Sequence, residues 1–151
     1  MIKVICVGKL KEKYWKDALE EYTKRISKYS KIDIIECPDY NGNDINTILV
    51  QEKNEIQKHV GERDCVITLE IEGQMLDSVD LSKKIDSLYL NYSNLTFIIG
   101  GSYGIHNEIK KRSNLALSFS KMTFPHQMFR IMLLEQIYRS YKILNNESYH
   151  K

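Results

Sequence analysis

Short β-branched runs alternate with stretches of helical periodicity from one end of the chain to the other, and that alternation predicts an α/β domain. Ile2-Lys3-Val4-Ile5-Cys6-Val7 reads as a strand closed by Gly8. Trp15, Ala18, Leu19, Tyr22, Ile26 and Tyr29 then fall on one helical face, with mostly Lys and Glu between them. Ile32 to Cys37 reads as a second strand stopped by Pro38, followed by a polar loop over residues 39–44. Ile45, Ile48, Leu49, Ile56 and Val60 mark a second helix that ends at Gly61.

The run Cys65 to Ile71 predicts a third strand, Glu72-Gly73-Gln74 a turn, and Leu81, Ile85, Leu88 and Tyr92 the next helix. Leu95 to Ile99 is the fourth strand, running into Gly100-Gly101-Ser102-Tyr103-Gly104 and a short basic helix that ends near Arg112. Leu115 to Ser120 is the fifth strand, and a final helix runs from about Pro125, a residue suited to a first helical turn, to Leu144. Near-continuous apolar strands of this kind belong to a mostly parallel sheet covered by helices on both faces. In the last helix Met128, Ile131, Met132, Leu133, Leu134, Ile137, Tyr138, Tyr141, Ile143 and Leu144 occupy more of the circumference than one stripe would. Such a helix is buried on two sides, either against a second subunit or between neighbours in its own chain.

The 151 residues, 42% of them hydrophobic and 28% charged, suit one domain over 1–151 with its own core. Only two prolines and seven glycines, with no repeat, exclude collagen-like, solenoid and largely disordered readings. A net charge of +2 does not by itself announce a nucleic-acid binder, but residues 1–75 carry −2 and residues 76–151 carry +4. Within the acidic half, Lys3, Lys9, Lys11, Lys13, Lys16, Lys24, Arg25, Lys28 and Lys31 form a separate basic region. Brought beside the basic second half it would suit a polyanion; otherwise these are solvated helix faces. Cys6, Cys37 and Cys65 lack metal-ligand spacing and lie in or beside apolar runs, so buried free thiols in a reducing, cytoplasmic setting are expected. No apolar stretch approaches a membrane span, so no membrane partner is expected.

In a parallel sheet, ligands bind beyond the carboxyl ends of strands, which here means the segments after Leu69, Ile99 and Ser120. The glycine loop after Ile99 permits close backbone approach or positive φ, although it matches neither GxGxxG nor a phosphate-binding GK[ST] loop and also suits a plain tight turn. The string Lys121 to Arg130 places His126 in the first turn of a helix and Arg130 one turn on. They could face a polar or anionic substrate; equally, His126 could cap the helix and Arg130 pair locally. Glu135 and Arg139 have the spacing of a helix-face ion pair. No metal-ligand cluster, nucleophile elbow or paired carboxylates are visible, which removes most of the weight from hydrolase and metalloenzyme readings.

Ile98 to Gly104, Leu117 to Gln127 with Arg130, Glu135-Gln136-Ile137-Tyr138-Arg139 and the terminal Tyr149-His150-Lys151 together closely resemble the RlmH (YbeA) family of SPOUT methyltransferases. The resemblance extends to Val7-Gly8-Lys9-Leu10-Lys11, Tyr14-Trp15 and Ile67 to Ile71, and only the loop at residues 39–44 is short for the family. It implies a trefoil knot within about residues 95–151, a homodimer, and S-adenosyl-L-methionine held in the knot. It further implies methylation of N3 of a pseudouridine in 23S rRNA on the assembled ribosome. By motif, the cofactor contacts fall at Leu69, Gly100, Phe119, Ser120, Lys121, Met122, Thr123 and Phe124, and the catalytic candidates are His126, Arg130, Tyr149 and His150. A ribose 2′-O-methyltransferase and a non-catalytic RNA-binding module are the competing readings.

Overall fold

A computed structural model describes all of residues 1–151. The elements are β1 (Ile2–Val7), α1 (Lys13–Ile26), β2 (Ile32–Cys37), α2 (Ile45–Gln57), β3 (Cys65–Met75), α3 (Ser78–Leu88), β4 (Leu95–Ile99), α4 (Asn107–Arg112), β5 (Leu115–Ser118) and α5 (His126–Leu144). The strands form one five-stranded sheet in the order β2-β1-β4-β3-β5, and every pairing is parallel. The α/β class and the covered sheet read from the hydrophobic pattern are therefore present.

Period-two alternation divides the strand residues between two cores. Ile2, Val4 and Cys6 of β1 join Phe97 and Ile99 of β4 and Ile67 of β3 under α1, α3 and α5, whereas Ile5, Val7, Val66 and Ile98 face α2 and α4 through Ile56 and Ile109. Within the first core, α5 packs against both α1 and α3, and Leu133, Leu134 and Ile137 are fully buried. The apolar excess of the last helix is thus met largely inside the chain, by neighbours on either side. All three cysteines are free and buried, and burial pushes the Cys6 thiol up to about 11.

Two strand boundaries differ from the pattern, while α2 and α3 end a turn earlier than expected, at Gln57 and Leu88. Residues 72–74 are not a turn, because β3 continues through them to Met75 and pairs again with β5 after a register shift between Leu69 and Gln74. A Cβ at Gly73 would lie 2.7 Å from the backbone of Ala116, so the missing side chain is what lets β3 close on β5 here. The fifth strand stops at Ser118, where the Ser118 hydroxyl donates to the Ser120 carbonyl and the Met122 N–H donates to Ser120 Oγ, turning the chain. Pro125 sits just before α5, as its N-cap.

The edge of the sheet where β3 and β4 begin is tied by one carboxylate. Asp64 receives Lys3 Nζ at 2.6 Å, the Gly61 N–H at 2.9 Å, Asn94 Nδ2 at 3.2 Å and Thr96 Oγ1 at 3.0 Å. Burial alone would raise this carboxyl, but Lys3 and the neutral donors together hold it below its ordinary value. Its contribution is therefore present above the ordinary carboxylate range and is lost as pH falls through the depressed value. Replacing Asp64 by Asn should cost about 3 kcal/mol in urea denaturation at pH 7, because Lys3 loses its buried counter-charge, and the deficit should shrink toward pH 3. Equal stability of the two proteins at pH 7 would show that the network is not holding these strand ends.

Candidate active site

All five strands point the same way, so their carboxyl ends share one edge, and a cavity of about 510 Å³ opens there beyond β3, β4 and β5. Its floor is Leu69, Leu117 and the loop that follows β4. That loop folds on itself through a bridge between Gly101 and Gly104, with Gly104 at φ +83°. A Cβ at Gly100 would lie 2.5 Å from the Gly104 carbonyl and 2.8 Å from Ile105 Cγ1. The glycine at 100 is therefore required by the turn itself, before any ligand is considered.

The opposite wall is the segment between β5 and α5. Phe119 meets Phe129 edge to face at 5.1 Å between ring centroids, and Phe124 stacks on Phe129 at 6.0 Å. These rings give the cavity a flat, rigid apolar side. Phe119, Ser120, Met122, Thr123 and Phe124 all line it together with Leu69 and Gly100, so the segments singled out in sequence converge on one site. Lys121 is exposed and does not line it. His126, exposed at the first position of α5, stands on its rim.

Sequence reasoning missed the polar wall. Glu70 and Glu72 line the cavity from β3, with Lys110 of α4 facing Glu70 at 3.7 Å. The buried Thr68 hydroxyl donates to Glu70 Oε2 at 2.6 Å and is itself 2.8 Å from Ser113 Oγ, which fixes the carboxylate from below. Their spacing, one strand period apart, was the available signal, and reading residues 72–74 as a turn hid it. The cavity thus offers apolar slabs, hydroxyls and carboxylates, a set that suits a ligand with a flat ring, hydroxyl groups and positive charge.

The other three catalytic candidates lie elsewhere. Arg130 is 2% exposed and is off the cavity wall; it bonds Glu36 at 2.9 Å and the Gly8 carbonyl at 3.1 Å. Tyr149 and His150 pack on the far half of α5, where the Tyr149 hydroxyl donates to Glu135, Arg139 lies 4.7 Å from its ring centroid, and Arg139 contacts His150 Nδ1 at 3.1 Å. Glu135 and Arg139 do form the expected ion pair, at 2.6 Å.

Behind the glycine loop lies a carboxylate that no motif announced. Glu52 of α2 is 4% exposed, its Oε1 has no hydrogen-bond partner, and its Oε2 is 2.8 Å from where a Gly101 Cβ would be. Burial, reinforced by the nearby Asp39, pushes it up to about 7.

A family model described as "Predicted SPOUT methyltransferase" matches residues 1–150. Among solved structures, a probable methylase family protein from Haemophilus influenzae Rd KW20 superposes with a TM-score of 0.58 at 11% identity, covering 99% of this chain and 70% of that one. At that identity the likeness is one of fold. No helix is long and apolar enough to cross a membrane, and no group of three or more His, Cys, Asp or Glu side chains is placed to hold a metal ion.

The Glu52 geometry has a measurable sign. The unfolded chain releases this proton near 4.5 and the folded chain keeps it to about 7, so stability falls as pH rises between those values and the loss is complete above them. The isosteric change Glu52→Gln should raise stability by up to about 3 kcal/mol at pH 8 and by little at pH 4.5, read from urea denaturation at the two pH values. A pH-independent difference would mean that Glu52 is ionised and solvated in the folded protein.

Proposed function

Because the chain belongs to the SPOUT methyltransferase family, we propose that it binds S-adenosyl-L-methionine in the cavity beyond β3, β4 and β5 and methylates N3 of a pseudouridine in 23S rRNA on the assembled ribosome. The observation that carries this reading is the convergence of Leu69, Gly100, Phe119, Ser120, Met122, Thr123 and Phe124 on one cavity of about 510 Å³, within the range of small-molecule sites. When bound, the cofactor supplies a methyl group on a cationic sulfonium, an electrophile that asks for positioning above all. Leu69, Leu117, Phe119 and Phe124 are the apolar walls for its base, and Glu70 and Glu72 match its hydroxyls and positive charge.

The target N3 carries a proton that must leave, and we assign its acceptance to His126, a reading supported by its position on the cavity rim. Arg130 supports that placement from below by fixing the first turn of α5, rather than by meeting the substrate. The same reading includes the trefoil knot in the C-terminal part, a cytoplasmic location and a homodimer. Exposed apolar side chains on the cavity, Ile71 and Met122, and on the elements that border it, Met75 of β3 and Met128 of α5, support a second copy packing there. Tyr149 and His150 would then complete the substrate pocket of the partner.

The test is to incubate the protein and labelled cofactor with ribosomes that lack the modification, then map the product by nuclease digestion and mass spectrometry. N3-methylpseudouridine is expected; a 2′-O-methyl product would make this a ribose methyltransferase, and no transfer would leave a binding module. His126→Asn should lower kcat about a hundredfold with cofactor affinity unchanged. Deleting residues 149–151 should lower methyl transfer about tenfold, the ~1.4 kcal/mol of one transition-state contact, while calorimetry shows cofactor binding intact. Full activity of the truncated protein would remove the tail from the site.

A further inference from the structure

Polar groups beneath the segment between β1 and α1, the buried Arg130 foremost, hold a short exposed loop in one fixed shape. Arg130, entirely inside the protein, donates to the carbonyl of Gly8 at 3.1 Å and to Glu36 Oε2 at 2.9 Å. The same Glu36 oxygen accepts the Leu10 N–H at 2.8 Å, and Gln127 Oε1 accepts the Lys11 N–H at 3.2 Å. Gly8 takes φ +91°, and Leu10 is buried. With Leu10 turned inward, Lys9 and Lys11 are both exposed, and neither forms an ion pair, nor does the exposed Lys16. Next in the chain, Tyr14 is 63% exposed and its ring is held edge-on to Trp15 at 5.1 Å. The acidic residues of this stretch are Glu12 and Asp17, and Asp17 is taken up by Lys13 at 2.8 Å.

This loop stands beside the cavity. Gln127, which holds Lys11, follows His126 on the rim, and Val7 Cγ1 is 3.2 Å from where a Gly101 Cβ would be. Strand order places β1 on one flank of the cavity and β5, leading to the exposed Lys121, on the other. The charge pattern that divided the sequence into two basic regions is thus resolved into cations on both sides of one mouth.

We propose that residues 8–12 and the first turn of α1 form a preorganised RNA contact, with Lys9 and Lys11 of the loop on backbone phosphates and Tyr14 of the helix as a stacking platform for an unpaired base, and that Arg130 is the positioning residue of the loop. The inference rests on the methyltransferase reading for its substrate class. A backbone held in one shape loses less freedom on binding than a mobile loop carrying the same lysines, which gives a buried guanidinium under an exposed loop a functional reason. Single-stranded RNA is held by this combination of phosphate contacts and stacking.

The test measures binding to a structureless single-stranded RNA across a salt series, alongside methyl transfer to unmodified ribosomes. Lys9→Gln with Lys11→Gln, both exposed, should raise KM for ribosomes at least tenfold with cofactor affinity unchanged. The slope of log affinity against log salt should flatten by about 1.5, as for two lost phosphate contacts. Tyr14→Ala should weaken RNA binding about tenfold without changing the slope. Arg130→Lys, and Gln127→Ala, which spares the core, should raise KM with the slope retained, since the lysines remain but are no longer held. Methyl transfer with KM and slope unaltered in the double lysine variant overturns the loop and leaves the methyltransferase standing. RNA binding that follows these variants with no methyl transfer supports the loop and overturns the methyltransferase reading, and absence of both binding and transfer overturns both.

Discussion

Arg130 is the constraint on which the arrangement of this molecule turns. A guanidinium 2% exposed must find partners inside the protein, and it finds them at the ends of two different strands, Glu36 of β2 and the carbonyl of Gly8 just past β1. Its Nε is left without a partner. Burying the guanidinium of such a pair adds little net stability, since desolvation offsets the attraction, whereas removing its carboxylate partner, itself partly exposed, leaves a buried charge uncompensated. What the pair does provide is register. It locks the first turn of α5 against the end of the sheet, and His126, one turn earlier on the same face, and Phe129 beside it take their places on the cavity from that lock.

The sheet order does the rest. A chain that goes from β4 to β5 across the intervening β3 brings three carboxyl ends side by side, each followed by a different kind of segment. After Leu69 the strand continues and presents carboxylates; after Ile99 a glycine turn keeps the floor low; after Ser118 an aromatic segment rises as a wall. Each depends on a local feature that spares a side chain or bends the backbone: Gly73 where β3 closes on β5, Gly100 where the loop crosses itself, and Ser120 where its hydroxyl takes the Met122 N–H. The small residues around this site thus serve the packing of the protein against itself, and room for a ligand is a consequence.

Much of this was legible in sequence, for reasons that differ by element. The strands β1, β2 and β4 were bounded correctly because Gly8, Pro38 and Gly100 end apolar runs abruptly, and the cavity residues at 69, 100, 119, 120 and 122–124, though not Lys121, were legible because a parallel sheet commits its ligands to one edge. The end of β3 was not legible: Glu72-Gly73-Gln74 has turn composition, and only contact with β5, distant in sequence, keeps it extended. The sequence leaves Arg130 open between a substrate contact and a local pair, because an arginine one turn from a histidine gives no sign of whether it faces in or out. Glu52 was invisible for the same reason, as one of two glutamates on α2. Burial of a charge is decided by tertiary partners that no local pattern records.

The tail poses a geometric question that the single chain answers in one direction only. Tyr149 is held by Glu135, by the ring of Tyr138 at 5.0 Å and by Arg139, all in the second half of α5, while the cavity meets α5 at His126. Thirteen residues of helix separate His126 from Arg139, roughly 20 Å at 1.5 Å per residue. A side chain docked at one end of a rigid helix does not serve a cavity at the other end, and the hydrogen bonds that pin this tail make its detachment costly. A role for Tyr149 or His150 in the reaction therefore demands a second chain with its α5 reversed alongside, so that the tail end of one helix meets the cavity end of the other. Under that arrangement assembly becomes a condition of catalysis, and the interactions between Glu135, Arg139, Tyr149 and His150 present the tail to the partner instead of storing it out of the way.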